Sequence, residues 1–251
     1  MSVQYGVCNL SIAPLRSVPD SKSEMISQLL YGEHFTIIES LKQWSKIRVA
    51  FDTYEGWINN KQFLPVAEAS YKTLQNDIPK HAGDLVAYVS DRHNRRMFIP
   101  MGANVHACSL LGHTFKGTLK TGRGTRKALV NTALQYLNAP YLWGGKTPFG
   151  IDCSGFTQMV YKLNGYALLR DAFLQTTQGK VLSFLEESKP GDLAFFDNSD
   201  GDIVHVGILL KDHYIIHAHG KVRIDRIDHT GIFNADTDNY SHQLRVIKKI
   251  V

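Results

Sequence analysis

The stretch Gly150-Ile151-Asp152-Cys153-Ser154-Gly155-Phe156 places a cysteine at what looks like the start of a helix. Apolar residues recur after it at helical spacing and predict a helix over 154–163: Phe156, Met159, Val160 and Leu163. Free backbone N–H groups at a helix start favour a thiolate and lower the pKa of a cysteine. By itself, however, the stretch fits a structural or metal-binding cysteine as well as a catalytic one.

A catalytic thiol needs a base from elsewhere in the chain, and eleven histidines are available. His205 opens the predicted strand 205–210, and His217 ends the predicted strand 214–217. A short turn separates the two strands, so they are expected to pair as a hairpin that puts the start of one beside the end of the other. His205 and His217 would then be neighbours, and one could hold the tautomer of the other. The alternative is that both histidines are polar side chains on the sheet surface without a catalytic role.

The sequence around these residues predicts an α+β domain over 125–251. A helix is expected over 126–137 with Thr125 as its N-cap, because apolar residues recur on one helical face. Strands are expected further on, at 193–196, 204–210, 214–218, 222–227 and 244–251. Helices followed by an antiparallel sheet are typical of the α+β class.

The first half of the chain is expected to be β-rich. Strands at 35–39 and 44–49, with one helical turn within 21–30, predict a small β-barrel over 1–66. A partly helical linker would follow at 67–77. Strands at 85–89 and 97–100, punctuated by glycines, predict a second small barrel over 79–124.

The composition argues against nucleic-acid and membrane partners. Lys and Arg exceed Asp and Glu by 28 − 23 = 5, and this excess is spread along the chain without an aromatic-and-basic motif. It therefore indicates a solvated surface rather than a nucleic-acid partner. No apolar run approaches the roughly 18 residues that span a bilayer, so no membrane partner is expected. Residues 1–10 lack the pattern of an export signal, which favours the cytoplasm unless such a signal has been removed from the chain.

The three cysteines are too few and too widely spaced for a disulfide framework. Cys8 and Cys108 have apolar neighbours in the sequence and are expected to be buried as small hydrophobic residues. Only Cys153, at the predicted start of a helix, has sequence neighbours that suggest a reactive thiol.

The region 127–251 resembles the NlpC-type family of bacterial cell-wall cysteine peptidases, which have a papain-like core. Five blocks occur in the order of that family: Tyr141-Leu142-Trp143-Gly144-Gly145, Asp152-Cys153-Ser154-Gly155-Phe156, Arg170-Asp171-Ala172, Lys189-Pro190-Gly191-Asp192-Leu193 and His205-Val206-Gly207-Ile208. The resemblance implies that Cys153 is the nucleophile, His205 the base and His217 the third polar residue. It also places the tyrosine that lies near the thiolate at Tyr141.

Pro14-Leu15-Arg16 and residues 52–57 resemble bacterial SH3-like domains that are attached to such peptidases. The whole is similar to the subgroup that cleaves murein peptides between γ-D-glutamate and L-lysine or diaminopimelate, for cell-wall peptide recycling. That subgroup prefers a free N-terminal L-alanine. The resemblance implies substrate-binding roles for Asp171, which would hold the amine, and for Tyr141, Ser154, Glu24 and Tyr54. It implies no cofactor and no metal.

Three alternatives remain open. A zinc site could use Cys153, His205, His217 and His219. It is disfavoured because structural sites usually have close-spaced ligand pairs, and because His217 and His219 are expected on opposite faces of their strand. A wall-binding module without catalysis, or an acyltransferase or amidase on the same fold, would also fit the pattern.

Overall fold

The computed structural model describes residues 4–251, so the first three residues of the predicted domain 1–66 lie outside the described part. The described chain forms two compact units. The first unit runs to Gly122 and also takes in Trp143–Pro148, while the second comprises Arg123–Leu142 and Phe149–Val251. Trp143–Pro148 thus belongs to the first unit although it lies inside the predicted domain 125–251.

A seven-stranded antiparallel sheet is the main element of the first unit. Its strands are β1 (Gln4–Val7), β2 (Ile12–Arg16), β3 (Met25–Leu30), β4 (His34–Ser40), β5 (Trp44–Val49), β6 (Glu55–Asn59) and β7 (Leu64–Val66). They are ordered β3-β2-β6-β5-β4-β1-β7. The predicted strands 35–39 and 44–49 fall in β4 and β5, which pair with Ile37 opposite Ile47. The sheet encloses a core that contains Leu15, Leu29 and Phe35.

The helical turn predicted within 21–30 was wrong. Met25–Leu30 is a strand that pairs with β2, with Ala13 opposite Leu29. Leu29 and Leu30 are fully buried. Pairing and burial on this strand therefore outweigh the weak local preference for a helical turn.

The remainder of the first unit is less regular. It contains helix α1 (Glu68–Asn76), inside the predicted linker, and short strands at β8 (His81–Ala82), β9 (Val86–Ser90), β10 (Arg96–Pro100), β11 (Thr114–Lys116), β12 (Leu119–Lys120) and β13 (Lys146–Thr147). Strands β10, β9 and β11 form one small sheet, and β12 pairs with β8. The predicted second barrel over 79–124 stays a prediction. Cys8 and Cys108 are buried free thiols, as expected.

The second unit has the α+β composition that the sequence predicts. Its helices are α2 (Arg126–Gln135), α3 (Cys153–Lys162) and α4 (Ala172–Gln175). Its strands are β14 (Gly150–Ile151), β15 (Lys180–Leu182), β16 (Leu193–Asp197), β17 (Ile203–Leu209), β18 (Tyr214–His219), β19 (Lys221–Ile227), β20 (Gly231–Asn234) and β21 (Asn239–Lys249). Because β21 pairs with both β16 and β20, the strands β16 to β21 close into a six-stranded antiparallel barrel.

Helix α3 is the buried element that connects the helical layer to this barrel. All of its residues are buried, and it contacts α2, β17 and β18. Thr125 caps α2 as predicted, accepting a hydrogen bond of 3.2 Å from the N–H of Ala128. No helix within residues 4–251 has the length and apolar character needed to cross a membrane.

Candidate active site

Cys153 is the first residue of helix α3. Asp152 caps this helix, since its side chain accepts a hydrogen bond of 2.6 Å from the N–H of Gly155. Arg170 donates to both carboxylate oxygens of Asp152, at 3.0 and 2.5 Å. Both charged side chains are almost fully buried. The ion pair therefore fixes the start of α3 and, with it, the position of the thiol.

The thiol of Cys153 is protonated at neutral pH in this setting. Its pKa is raised to about 12, mainly by burial and then by the charge of Asp152, and hydrogen bonds from the backbone of Val206 and Ser154 offset only part of this. The sequence-based expectation of a lowered pKa was wrong, because the helix start is so deeply buried that desolvation of the thiolate dominates. Ionisation of the thiol therefore needs a base close by.

Two histidines on adjacent strands lie next to each other, as the hairpin pattern predicts. Strands β17 and β18 pair with Gly207 opposite His217, so His205 approaches His217 diagonally. The Nε2 atom of His205 lies 2.8 Å from Nδ1 of His217. Both rings are buried. His205 also immediately precedes Val206, whose N–H points at the sulfur of Cys153.

A carboxylate on the next strand extends this chain of side chains. Asp225 of β19 accepts a hydrogen bond of 2.9 Å from Nε2 of His217. Burial raises the pKa of Asp225, but hydrogen bonds from His217 and Arg223 outweigh it and hold that pKa at about 2. The side chain of Asp225 is thus a carboxylate at neutral pH and can only accept.

The carboxylate of Asp225 determines where the protons lie on both imidazoles. Because it can only accept, Nε2 of His217 carries the proton, and Nδ1 of a neutral His217 is an acceptor. His205 must then donate from Nε2, which leaves its Nδ1 atom unprotonated. Burial lowers the pKa of both histidines, most strongly that of His205. His205 is therefore a neutral imidazole whose free nitrogen can accept a proton.

Sequence reasoning missed Asp225 and the arginine that holds it. Arg223 donates to Asp225 from Nε at 2.6 Å and from Nη2 at 2.8 Å. Arg223 also lies 2.9 Å from Asp236. The available signal was an aspartate within the predicted strand 222–227, where aspartate is disfavoured, two residues after an arginine on the same face.

The structure brings Tyr141 close to the nucleophile. Tyr141 bridges to Ile151, just before the cysteine. Burial raises the pKa of Tyr141, and negative charge at Cys153 and Asp152 raises it further. Its hydroxyl is therefore a protonated donor at neutral pH near the sulfur.

Ser154 and Asp171 also lie around the start of α3. The hydroxyl of Ser154 is buried 3.3 Å from Asp152 and accepts a hydrogen bond of 2.9 Å from Arg170. Asp171 follows Arg170 and directly precedes α4. Gln175 of that helix donates to the carbonyl of Ser154 at 3.1 Å, which ties Asp171 to the region of the thiol. Their predicted substrate contacts stay predictions.

Glu24 and Tyr54 belong to the first unit, whereas Cys153, Asp171 and His205 belong to the second. Glu24 is exposed and accepts a hydrogen bond of 2.6 Å from the indole N–H of Trp143. Tyr54 is half-buried and packs against the core of the first sheet. Their predicted role in closing the substrate pocket stays a prediction.

Trp143–Pro148 is held tightly within the first unit, which the sequence did not suggest. The ammonium of Lys146 lies 3.3 Å from the carboxylate of Glu33, and both side chains are at most 2% exposed. The N–H of Lys146 donates to the side chain of Gln28 at 2.8 Å. Gly144 has a φ of +76°, and a Cβ atom there would lie 2.2 Å from the carbonyl oxygen of Met25. Only glycine fits at this point of close approach.

His219 and His242 stand beside the two predicted catalytic histidines. The rings of His217 and His219 are nearly parallel, with centroids 6.3 Å apart, so the expectation that they face opposite sides of β18 was wrong. Residues two apart in a strand share a face. His242 of β21 stacks on His205 with centroids 4.0 Å apart. His242 was missed as a neighbour because nothing local in the sequence places β21 there.

Two family models match this chain. Residues 138–239 match the NlpC/P60 family, and residues 15–63 match the bacterial dipeptidyl-peptidase SH3 domain. A gamma-D-glutamyl-L-lysine dipeptidyl-peptidase of Bacillus cereus (strain ATCC 10987 / NRS 248) is 27% identical over 78% of this chain and 68% of its own length. Dipeptidyl-peptidase 6 of Lysinibacillus sphaericus is 28% identical over 82% of this chain and 84% of its own length.

A solved structure shares the fold along nearly the whole chain. The crystal structure of an NlpC/P60 family protein from Bacillus cereus ATCC 10987 superposes with a TM-score of 0.77 at 19% identity, and covers 98% of this chain and 99% of that one. Sequence and fold comparisons thus agree with the five sequence blocks. The chain is a cysteine peptidase with an NlpC/P60-family domain over 138–239, preceded by a bacterial SH3 domain over 15–63.

Proposed function

We propose that this peptidase cleaves murein peptides between γ-D-glutamate and L-lysine or diaminopimelate, releasing an N-terminal L-alanyl-γ-D-glutamyl dipeptide. The observation that carries the proposal is the hydrogen-bonded series His205, His217 and Asp225. It begins one residue before Val206, whose backbone N–H bonds to the buried thiol of Cys153. The choice of bond is supported by the name of the Bacillus cereus relative, a gamma-D-glutamyl-L-lysine dipeptidyl-peptidase.

In the proposed acylation step, Nδ1 of His205 takes the thiol proton as the sulfur of Cys153 attacks the γ-carbonyl carbon of D-glutamate. The imidazolium that forms is stabilised by His217 and, through it, by Asp225. In the proposal, backbone N–H groups at the start of α3 and the hydroxyl of Tyr141 donate to the oxyanion. His205 then gives the proton to the leaving amine, which leaves a thioester on Cys153.

In the proposed deacylation step, water attacks the thioester carbonyl. His205 takes a proton from that water, the bond to sulfur breaks, and the thiol of Cys153 recovers a proton. The same residues thus serve both halves of the reaction. In each half of the reaction His205 first accepts a proton and then gives it up, so its imidazole must be neutral at rest.

We also propose that Asp171 recognises the free N-terminal ammonium of L-alanine. A charge-assisted hydrogen bond to a carboxylate is lost when that amine is acetylated. Leaving one charged partner unpaired costs on the order of 2–5 kcal/mol, which corresponds to roughly a 30-fold or larger fall in kcat/KM. Released wall peptides, which have this amine free, would then be preferred to intact peptidoglycan.

The test compares L-Ala-γ-D-Glu-L-Lys, its diaminopimelate counterpart and the N-acetyl form of each, with products identified by mass. We expect cleavage after γ-D-glutamate in the free peptides, strong discrimination against the acetylated ones, and loss of that discrimination in Asp171→Ala. Equal rates on free and acetylated peptides would contradict the amine role. A product joined to an added amine instead of a hydrolysed one would indicate acyl transfer.

A further inference from the structure

Four histidines form one cluster in the second unit, although the proposed reaction uses only two of them. They are His205, His217, His219 and His242. Their ring centroids are separated by 4.0 to 6.5 Å, and His219 and His242 are 4.9 Å apart. Among the described residues, one ring nitrogen from each of His205, His217 and His242 lies within 4.8 Å of the others.

The cluster has the chemistry of a transition-metal site. His205, His217 and His242 belong to three different strands, β17, β18 and β21, yet one ring nitrogen of each converges on the same place. Neutral imidazole is a preferred ligand of zinc.

The surroundings of His217 match the support that metal-ligating histidines usually have. Such a histidine donates its second ring N–H to a carboxylate, which fixes its tautomer and raises its basicity. Nε2 of His217 makes that bond to Asp225, and Arg223 holds the carboxylate from its other side. The Nδ1 atom of His217 therefore already has its lone pair directed into the cluster.

We propose that Zn²⁺ binds to Nε2 of His205, Nδ1 of His217 and the ring of His242, and that it reversibly inhibits the peptidase. His219 is the nearest candidate for a fourth ligand. Zinc–nitrogen bonds of about 2.0–2.1 Å in a tetrahedron separate the nitrogens by roughly 3.4 Å. To reach that separation from the 2.8 Å contact between His205 and His217, the two nitrogens would move apart by about 0.6 Å. The ring of His242, which is stacked on that of His205, would turn so that its nitrogen faces the metal.

Zinc in this position removes the base without binding the nucleophile. A metal on Nε2 of His205 requires that the remaining proton of the ring sits on Nδ1. That nitrogen can then no longer accept the thiol proton of Cys153. This inhibition rests on the proposed role of His205 in catalysis, whereas the binding of zinc does not.

The test measures zinc binding and activity separately on the full chain. Equilibrium dialysis with Zn²⁺, and the visible absorption of Co²⁺ as a spectroscopic substitute, report binding in wild type, Cys153→Ala, His242→Phe and the matched control His229→Phe. His229 is an exposed histidine of the same unit. We expect one zinc in wild type, Cys153→Ala and His229→Phe, and at least a tenfold weaker affinity in His242→Phe, since even outer partners of a metal site change affinity by about 10–100-fold.

Activity on L-Ala-γ-D-Glu-L-Lys supplies the second readout. Zinc should inhibit wild type and His229→Phe, and a chelator should restore both. The metal-free turnover of His242→Phe should stay within a few fold of wild type, with inhibition shifted to at least tenfold higher zinc. His242→Gln replaces His242→Phe if circular dichroism shows that the latter is unfolded.

Two outcomes would overturn the site. One is zinc affinity that survives both substitutions of His242, and the other is zinc affinity that disappears in Cys153→Ala, which would place the metal on the thiol. If the murein peptides are not cleaved at all, the binding measurements still decide whether the site exists. Failure of the site and failure of the proposed function are therefore distinguishable.

Discussion

At the scale of single residues, the burial of Cys153 governs how its thiol reacts. With a pKa raised to about 12, the thiolate fraction is small at pH 7 and grows tenfold per pH unit. We expect the rate of alkylation of Cys153 by iodoacetamide, followed by peptide mass spectrometry, to rise about tenfold per unit between pH 7 and 9. A rate that levels off by pH 8 would instead indicate a resting thiolate–imidazolium pair.

Substitution of the nucleophile should separate catalysis from folding. Cys153→Ala and Cys153→Ser are expected to abolish turnover of the tripeptide, because a hydroxyl is a much weaker nucleophile than a thiol activated by His205. Circular dichroism and thermal melting should be close to those of wild type. Substantial activity in Cys153→Ala would remove Cys153 from the mechanism.

Substitutions of His205 and His217 should lower the activity to different extents. His205→Ala should be nearly as damaging as loss of the thiol, since members of such a unit are not additive. His217→Asn should be milder, because the amide oxygen can accept from His205 while the amide nitrogen donates to Asp225. The kcat values of both variants on the tripeptide are the measurement. If His217→Asn were the more damaging, the base and the orienting residue would have to exchange roles.

At the scale of elements, the buried pair Asp152–Arg170 anchors the start of α3. Arg170→Met would leave the carboxylate of Asp152 buried without its counter-charge, which typically costs about 3–5 kcal/mol. Urea denaturation should show this loss of stability. Arg245→Met is the matched control, because Arg245 is largely exposed and lies 3.6 Å from Asp197, so its loss should cost under about 1 kcal/mol. Similar losses in both variants would contradict the anchoring role.

Elements with a strong local pattern could be predicted, and those set by distant pairing could not. Helix α3 follows from apolar periodicity, the hairpin of β17 and β18 follows from a short turn, and these elements position Cys153, His205 and His217. The short strands β15 and β20 carry little pattern of their own and form by pairing with β21. The position of His242 beside His205 could not be predicted for the same reason, because it depends on a strand register that the local sequence does not encode.

At the scale of the molecule, the buried pair Glu33–Lys146 joins parts of the first unit that are far apart in sequence. Glu33→Ala would leave the ammonium of Lys146 buried without its counter-charge, which lowers the free energy of unfolding by about 3–5 kcal/mol. The double variant Glu33→Met with Lys146→Met should recover much of that loss, since well-packed apolar side chains replace a buried pair at little cost. Urea denaturation of single and double variants measures both effects. No recovery in the double variant would mean that Glu33 acts mainly through its other contacts, such as the N–H of Leu30.

Closure of the barrel by β21 also has a consequence for the timing of synthesis. The strand Asn239–Lys249 lies between β16 and β20 and supplies His242. The barrel can therefore close only after Lys249 has left the ribosome, long after Cys153 has been made. At roughly 5–20 residues per second, the interval is on the order of 5–20 s. During it the nascent chain contains Cys153 without a closed barrel to support His205 and His217, so we expect no peptidase activity before β21 has been translated.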